Sequence, residues 1–226
     1  MEPRVRALLD ATADLFLGSS CPGCGRPGWG ACGDCLAALA RPTPLRLVGP
    51  APGWPVVAAC SYRPPVPALV KAWKDEGGWG LTRPFAEAVS LRVGLAGWCE
   101  PMLVVPVPSR SKAVAERGHD HARALARAVA RRLGWSHEPL LRVARSGSDQ
   151  FDLGRTERWQ NMAAAMRAQS GSGRVLLVDD VITTGASLTA AATALTRAGW
   201  TVSGAATVAS SELRHAQSTP RQTPAG

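Results

Sequence analysis

Apolar positions along this chain change period several times, and each change marks an element. Between residues 1 and 20, Val5, Leu8, Leu9, Ala13, Phe16 and Leu17 recur at helical spacing and predict a short amphipathic helix. Residues 41–55 (RPTPLRLVGPAPGWP) are rich in Pro and Gly and read as a linker. Residues 56–62 then read as a strand, and 68–74 as the start of a helix that GGWG interrupts and 84–93 resumes. Residues 102–108 (MLVVPVP) form a short apolar run closed by Pro, a strand whose end is marked by Pro106. Residues 120–133 are helical again, with Ala124, Leu125, Ala128, Val129 and Leu133 turned inward, and 140–143 make a short strand. Residues 144–166 are polar and aperiodic until their end, as expected of a functional loop or a disordered stretch.

The most informative stretch is residues 174–191, RVLLVDDVITTGASLTAA. Val175, Leu176, Leu177 and Val178 predict a strand buried on both faces. Two carboxylates, Asp179 and Asp180, follow it, and then Thr183, Thr184, Gly185, Ala186 and Ser187. Helical spacing begins after the glycine, with Leu188, Ala191, Ala192 and Leu195 on one side. Gly199 stops this helix, and residues 200–209 alternate as a last strand. Strands interleaved with helices predict an α/β chain with a parallel sheet, whose ligands bind at the carboxyl ends of the strands. The order of strand, acidic pair, hydroxyl-and-glycine loop and helix suits a sugar phosphate. Loop amides and hydroxyls converge on an anion at the helix N-terminus, while successive carboxylates point to different sides.

Composition adds a second site. Four of the six cysteines, Cys21, Cys24, Cys32 and Cys35, form two CxxC knuckles in CPGCGRPGWGACGDC. In a chain without an export signal such pairs point to metal rather than disulfides, and four thiolates suit structural, tetrahedral zinc. Two reduced, metal-free thiol turns are the alternative. The expected organisation is a helix and four-cysteine zinc module over residues 1–45, an α/β domain over 46–210 and a disordered tail over 211–226.

Charge changes the picture less. A net charge of +9 favours polyanionic partners, although much of the excess is Arg scattered along helical stretches, where a solvated surface is an equal reading. Lys71 and Lys74 end a helical turn, as surface cations do. Pro108, Ser109 and Arg110, with Lys112 and Arg117 beyond, place a constrained turn and cations after a strand, suited to a diphosphate. Arg145, Gln150, Arg155, Arg158 and Asn161 make residues 145–161 a candidate lid. His119 and His121 flank Asp120 and read as surface residues at a helix start. No apolar run is long enough to span a membrane and the first twenty residues do not read as a signal peptide, so no membrane insertion and a cytoplasmic location are expected.

The 179–187 stretch resembles the phosphoribosyl-diphosphate (PRPP) signature of type I phosphoribosyltransferases. CPGCG and CGDC, Tyr62, WKDEGG, VVPVPS, RGHDHARALA, the series Gln150, Leu153, Arg158 and Asn161, and LLVDDVITTGASL together resemble the ComF family, over about residues 15–209. The resemblance implies a type I phosphoribosyltransferase-like parallel sheet flanked by helices, with a small N-terminal zinc module. It implies a PRPP site at Asp179, Asp180, Thr183, Thr184, Gly185, Ala186 and Ser187, and a diphosphate loop at Pro108, Ser109 and Arg110. Asp179, Asp180 and Arg158 would carry catalysis, and Mg²⁺ would accompany PRPP. Implied activities are phosphoribosyl transfer to a nucleobase, PRPP sensing without turnover, or a competence role with single-stranded DNA and a helicase-like ATPase as partners. The chain departs from the family in RGHDHA, where RGFNQA is usual.

Overall fold

The computed structural model describes residues 20–40, 54–75, 78–108, 120–143 and 166–211. The helix expected over 1–20, most of the 41–55 linker, the 145–161 lid and most of the tail lie outside them.

Four parallel strands make the central sheet: β1 (Val56–Ser61), β2 (Leu103–Pro106), β5 (Gly173–Ile182) and β6 (Trp200–Ser210), in the order β1-β6-β5-β2. A separate antiparallel pair, β3 (Leu141–Val143) with β4 (Met166–Ala168), stands beside it. The expected α/β class, a parallel sheet flanked by helices, is the observed one. Central β5 carries four fully buried residues in a row, Val175 to Val178, because both of its faces are covered.

Each face has its own apolar layer. On one side Leu176, Val178 and Val104 meet α2 (Val66–Asp75), α3 (Thr82–Leu95) and α4 (His121–Leu133). On the other, Val175, Leu177 and Val105 meet α5 (Ala186–Arg197) and the β3–β4 pair. Alternate strand residues thus feed opposite layers, as a pleated strand requires. α4 starts cleanly because Asp120 caps it, accepting the Arg123 amide at 3.0 Å, and it stops at Gly134, whose φ of +71° an L-residue rarely adopts.

Three details differ from the sequence reading. β5 runs on to Ile182, so Asp179 and Asp180 lie within the strand and not after it. The register with β6, from Asp179↔Thr207 to Ile182↔Ser210, extends the strand beyond its apolar run. Residues 166–168 form a strand because 141–143 offers them a partner, a long-range cause. His121, expected at the surface, is buried on the inner face of α4, in line with Leu125 and Val129.

The first α-helix described, α1 (Gly33–Ala37), carries Cys35 inward. Cys21, Cys35 and Leu39 pack in the same apolar layer as Leu69, Val70 and Trp73 of α2, so the cysteine-bearing segment sits directly against the α/β core.

Candidate functional site

The strand order builds a crevice at one end of the sheet. β2 and β5 are adjacent and parallel, and their ladder ends with Pro106 opposite Val178. The Val107 amide still reaches the Val178 carbonyl at 3.0 Å. Among the described residues the β2–β5 ladder goes no further. Among the described residues the next helix after β2 is α4, on the α3 face, while β5 is followed by α5, on the other face. Neighbouring parallel strands whose following helices lie on opposite faces leave a gap at their carboxyl ends, where α/β proteins bind ligands. Asp179 is the first residue past the ladder.

The loop from β5 to α5 is open. Thr183 and Thr184 are exposed, Ala186 and Ser187 are half-buried, and Gly185 is buried at φ +75°, in the left-handed region. Gly185 occupies the cap position of α5 and has no side chain of its own to cap the helix. The Thr184 hydroxyl reaches only the Ala186 amide, at 3.4 Å. The first amides of a 12-residue helix therefore begin beside Thr183, Thr184 and Ser187, at the positive end of the helix dipole.

The two carboxylates have unlike surroundings. Asp179 shares strand parity with Val175 and Leu177, and Asp180 with Leu176 and Val178. The Asp179 Oδ1 accepts the Asp180 amide at 2.8 Å. Burial, followed by the neighbouring charge of Asp180, pushes its pKa up to about 8, against lesser help from that amide and from Lys74. Asp180 is buried on the α2–α4 side, where Lys74 Nζ forms an ion pair with Oδ2 and His121 Nε2 stands 3.3 Å from the same oxygen. Burial works against the charge of Asp180, yet the hydrogen bond from His121 and the charge of Lys74 outweigh it and hold the carboxyl below its ordinary range. The two carboxyls are thus pushed in opposite directions, Asp179 towards holding its proton and Asp180 towards giving it up.

Pro108 sits at the β2 end of the crevice, whereas Ser109, Arg110, Arg158 and the rest of the expected lid lie outside the described residues. Lys74 and His121 are the residues that the sequence reading did not bring to the site. The signal for His121 was its place four residues before Leu125 on the inward stripe.

The cysteines expected to bind metal do meet. The Sγ atoms of Cys21, Cys24, Cys32 and Cys35 all lie within 4.8 Å of one another. Thiolates about 2.3 Å from one tetrahedral ion stand roughly 3.8 Å apart, and Cys24 Sγ and Cys32 Sγ are 3.7 Å apart. Cys32 donates its amide to Cys21 Sγ at 3.2 Å. Despite burial, this amide and those of Gly23 and Cys24 bring the Cys21 thiol down to about 6, favouring the thiolate. The cluster can hold a metal ion, and its donor set suits zinc. Cys60 is remote from it, buried with its Sγ donating to the Val208 carbonyl at 3.2 Å.

No protein-family model matches the chain, and no curated protein does. Among solved structures, adenine phosphoribosyltransferase from Rhodothermus marinus is similar over 78% of this chain and 86% of that one, with 19% identity and a TM-score of 0.34. At this score the likeness decides nothing about the site. No described helix is long and apolar enough to cross a membrane.

Proposed function

We propose that this protein binds PRPP with Mg²⁺ in the β2–β5 crevice and, as a ComF-like phosphoribosyltransferase, passes the phosphoribosyl group to a nucleobase with release of diphosphate. The observation that carries this reading is the glycine-led start of α5 beside two successive carboxylates, one of them held by Lys74 and His121. It offers a phosphate cradle and a hydroxyl-binding edge within one turn of chain.

In this reading the 5′-phosphate takes the amides after Gly185 and the hydroxyls of Thr183, Thr184 and Ser187. Asp179 faces the ribose hydroxyls, while Asp180, held by Lys74 and His121, sets the charge beside it. Ser109 and Arg110 are the donors to the diphosphate, with Arg158 as a further cation. Magnesium bound with the diphosphate would supply charge neutralisation for the leaving group. Displacement at the anomeric carbon develops positive charge on the sugar, so the chain acts by positioning and by electrostatic complementarity. The four-cysteine cluster, with every zinc position taken by sulfur, is structural.

Calorimetric titration with Mg²⁺-PRPP tests the reading. Saturable binding is expected, and it should be lost in Thr183→Val/Thr184→Val and in Asp179→Asn/Asp180→Asn. An intact protein that takes up no Mg²⁺-PRPP would overturn the proposal. Binding without base-dependent diphosphate release would assign a sensor, or the DNA-uptake factor that the family resemblance implies.

A further inference from the structure

Asp180 is held from two helices that lie far apart in the chain. Lys74, near the end of α2, pairs with its Oδ2, and its own side chain is only 26% exposed. His121, the first residue of α4, brings Nε2 to 3.3 Å from the same oxygen, and its side chain is 3% exposed. The imidazole is itself fixed. The Trp73 ring meets it edge to face, with centroids 5.0 Å apart and planes at 74°. Trp73 meets Phe85 in the same manner at 5.2 Å, and its Nε1 donates to Thr82 Oγ1 at 2.9 Å. A chain of packed groups from α3 through Trp73 thus sets the angle at which His121 reaches β5. Among the described residues, the ionisable groups placed about Asp180 are Lys74 of α2, His121 of α4 and Asp179 of β5 itself.

Two donors on one carboxylate oxygen do more than neutralise it. They leave Asp180 Oδ1 on the strand, where it accepts the Val181 amide at 2.5 Å, so both oxygens are engaged before any ligand arrives. A carboxylate fixed in this way cannot swing or take up a proton readily, and it keeps the negative charge that Asp179 feels. Without its donors, the buried Asp180 would relieve repulsion by protonating itself, and the two carboxyls would exchange roles.

We propose that His121 and Lys74 are positioning residues: they clamp Asp180 as a fixed anion on the α2–α4 side of β5, so that Asp179 is the carboxyl that answers the ligand. The inference rests on the reading of residues 179–187 as the ligand site, but its first readout needs no ligand.

The test uses the full chain carrying ¹³C-labelled aspartate, with His121→Leu, His121→Gln and Lys74→Met as variants. Leu keeps an apolar body against Trp73 and removes the donor, while Gln returns a donor through its side-chain amide. Carboxyl ¹³C titration should show Asp180 ionised below the ordinary range in the intact protein and in His121→Gln. It should move up in His121→Leu and in Lys74→Met. Affinity for Mg²⁺-PRPP should fall about ten-fold in His121→Leu and recover to within about three-fold in His121→Gln. An Asp180 titration unmoved by Leu or Met, or a Gln variant as impaired as Leu, would overturn the clamp. If the intact protein binds no Mg²⁺-PRPP, the PRPP reading falls and the titration alone decides the clamp.

Discussion

Gly23 lies so close to Cys35 that a β-carbon on it would stand 2.7 Å from the Cys35 Sγ and 3.1 Å from Leu69 Cδ2. One glycine is thus wedged between the sulfur cluster and helix α2. Its role here is close approach and not a special turn, a distinction that sequence alone does not make.

Gly23→Ala should therefore separate the cluster from α2. The methyl group has a sulfur on one side and a buried leucine on the other, an overpacked position that costs about 1–3 kcal/mol. For a chain of this size that corresponds to a melting temperature lower by roughly 2–12 °C. Bound metal, counted by a chromophoric chelator, should fall below one per chain. Wild-type melting with full metal would show that the segment shifts at little cost.

Removing the metal should be felt at the crevice. Cys21, Cys35 and Leu39 pack on the face of α2 whose later residues, Trp73 and Lys74, serve Asp180. Cys24 is exposed, so Cys24→Ser removes a ligand with little direct loss of packing. The variant should lose its metal, melt lower by several degrees, and bind Mg²⁺-PRPP a few-fold more weakly. Unchanged affinity after verified metal loss would mean that α2 keeps its place without the cluster.

The glycine-led start of α5 gives a prediction of its own. Gly185 has φ +75°, and a β-carbon in that region costs roughly 1–2 kcal/mol. Gly185→Ala should lower stability by about that amount, and it should weaken Mg²⁺-PRPP by more than ten-fold, because relieving the strain turns the helix amides off the phosphate. Loss of stability with affinity intact would place the phosphate elsewhere.

Much of this site was legible in local pattern. The run from Val175 to Val178, the carboxylates and the small loop announce strand, site and helix within one short stretch, because each signal depends on neighbours in sequence. The CxxC pairs are legible for the same reason. What was not legible depends on tertiary approach. Lys74 looks like any cation in a last helical turn until α2 docks beside β5. His121 looks like a polar helix start, since the burial that makes it a partner of Asp180 comes from Trp73 on another helix. Strand β4 exists only because residues 141–143 pair with it.

The divided carboxyl pair leads to a pH dependence of defined sign. From its ordinary value of 3.8, burial and then the charge of Asp180 push Asp179 up to about 8 in the folded protein. Below 3.8 both states hold the proton and Asp179 contributes no pH dependence. Between the two values the folded state keeps a proton that the unfolded state has released, so stability falls as pH rises, and the loss is complete above about 8. Asn, which never ionises, is spared this loss. Asp179→Asn should accordingly melt higher than the intact protein at pH 8, by at least about 2–4 °C, the equivalent of roughly 1 kcal/mol. The gap should narrow as pH is lowered and close below about 3.8, where the aspartate is neutral in both the folded and the unfolded state. Calorimetric melts of the two proteins across this range measure it directly. A gap that stays constant with pH would show that Asp179 ionises at its ordinary value when folded, and that the asymmetry of the pair does not exist.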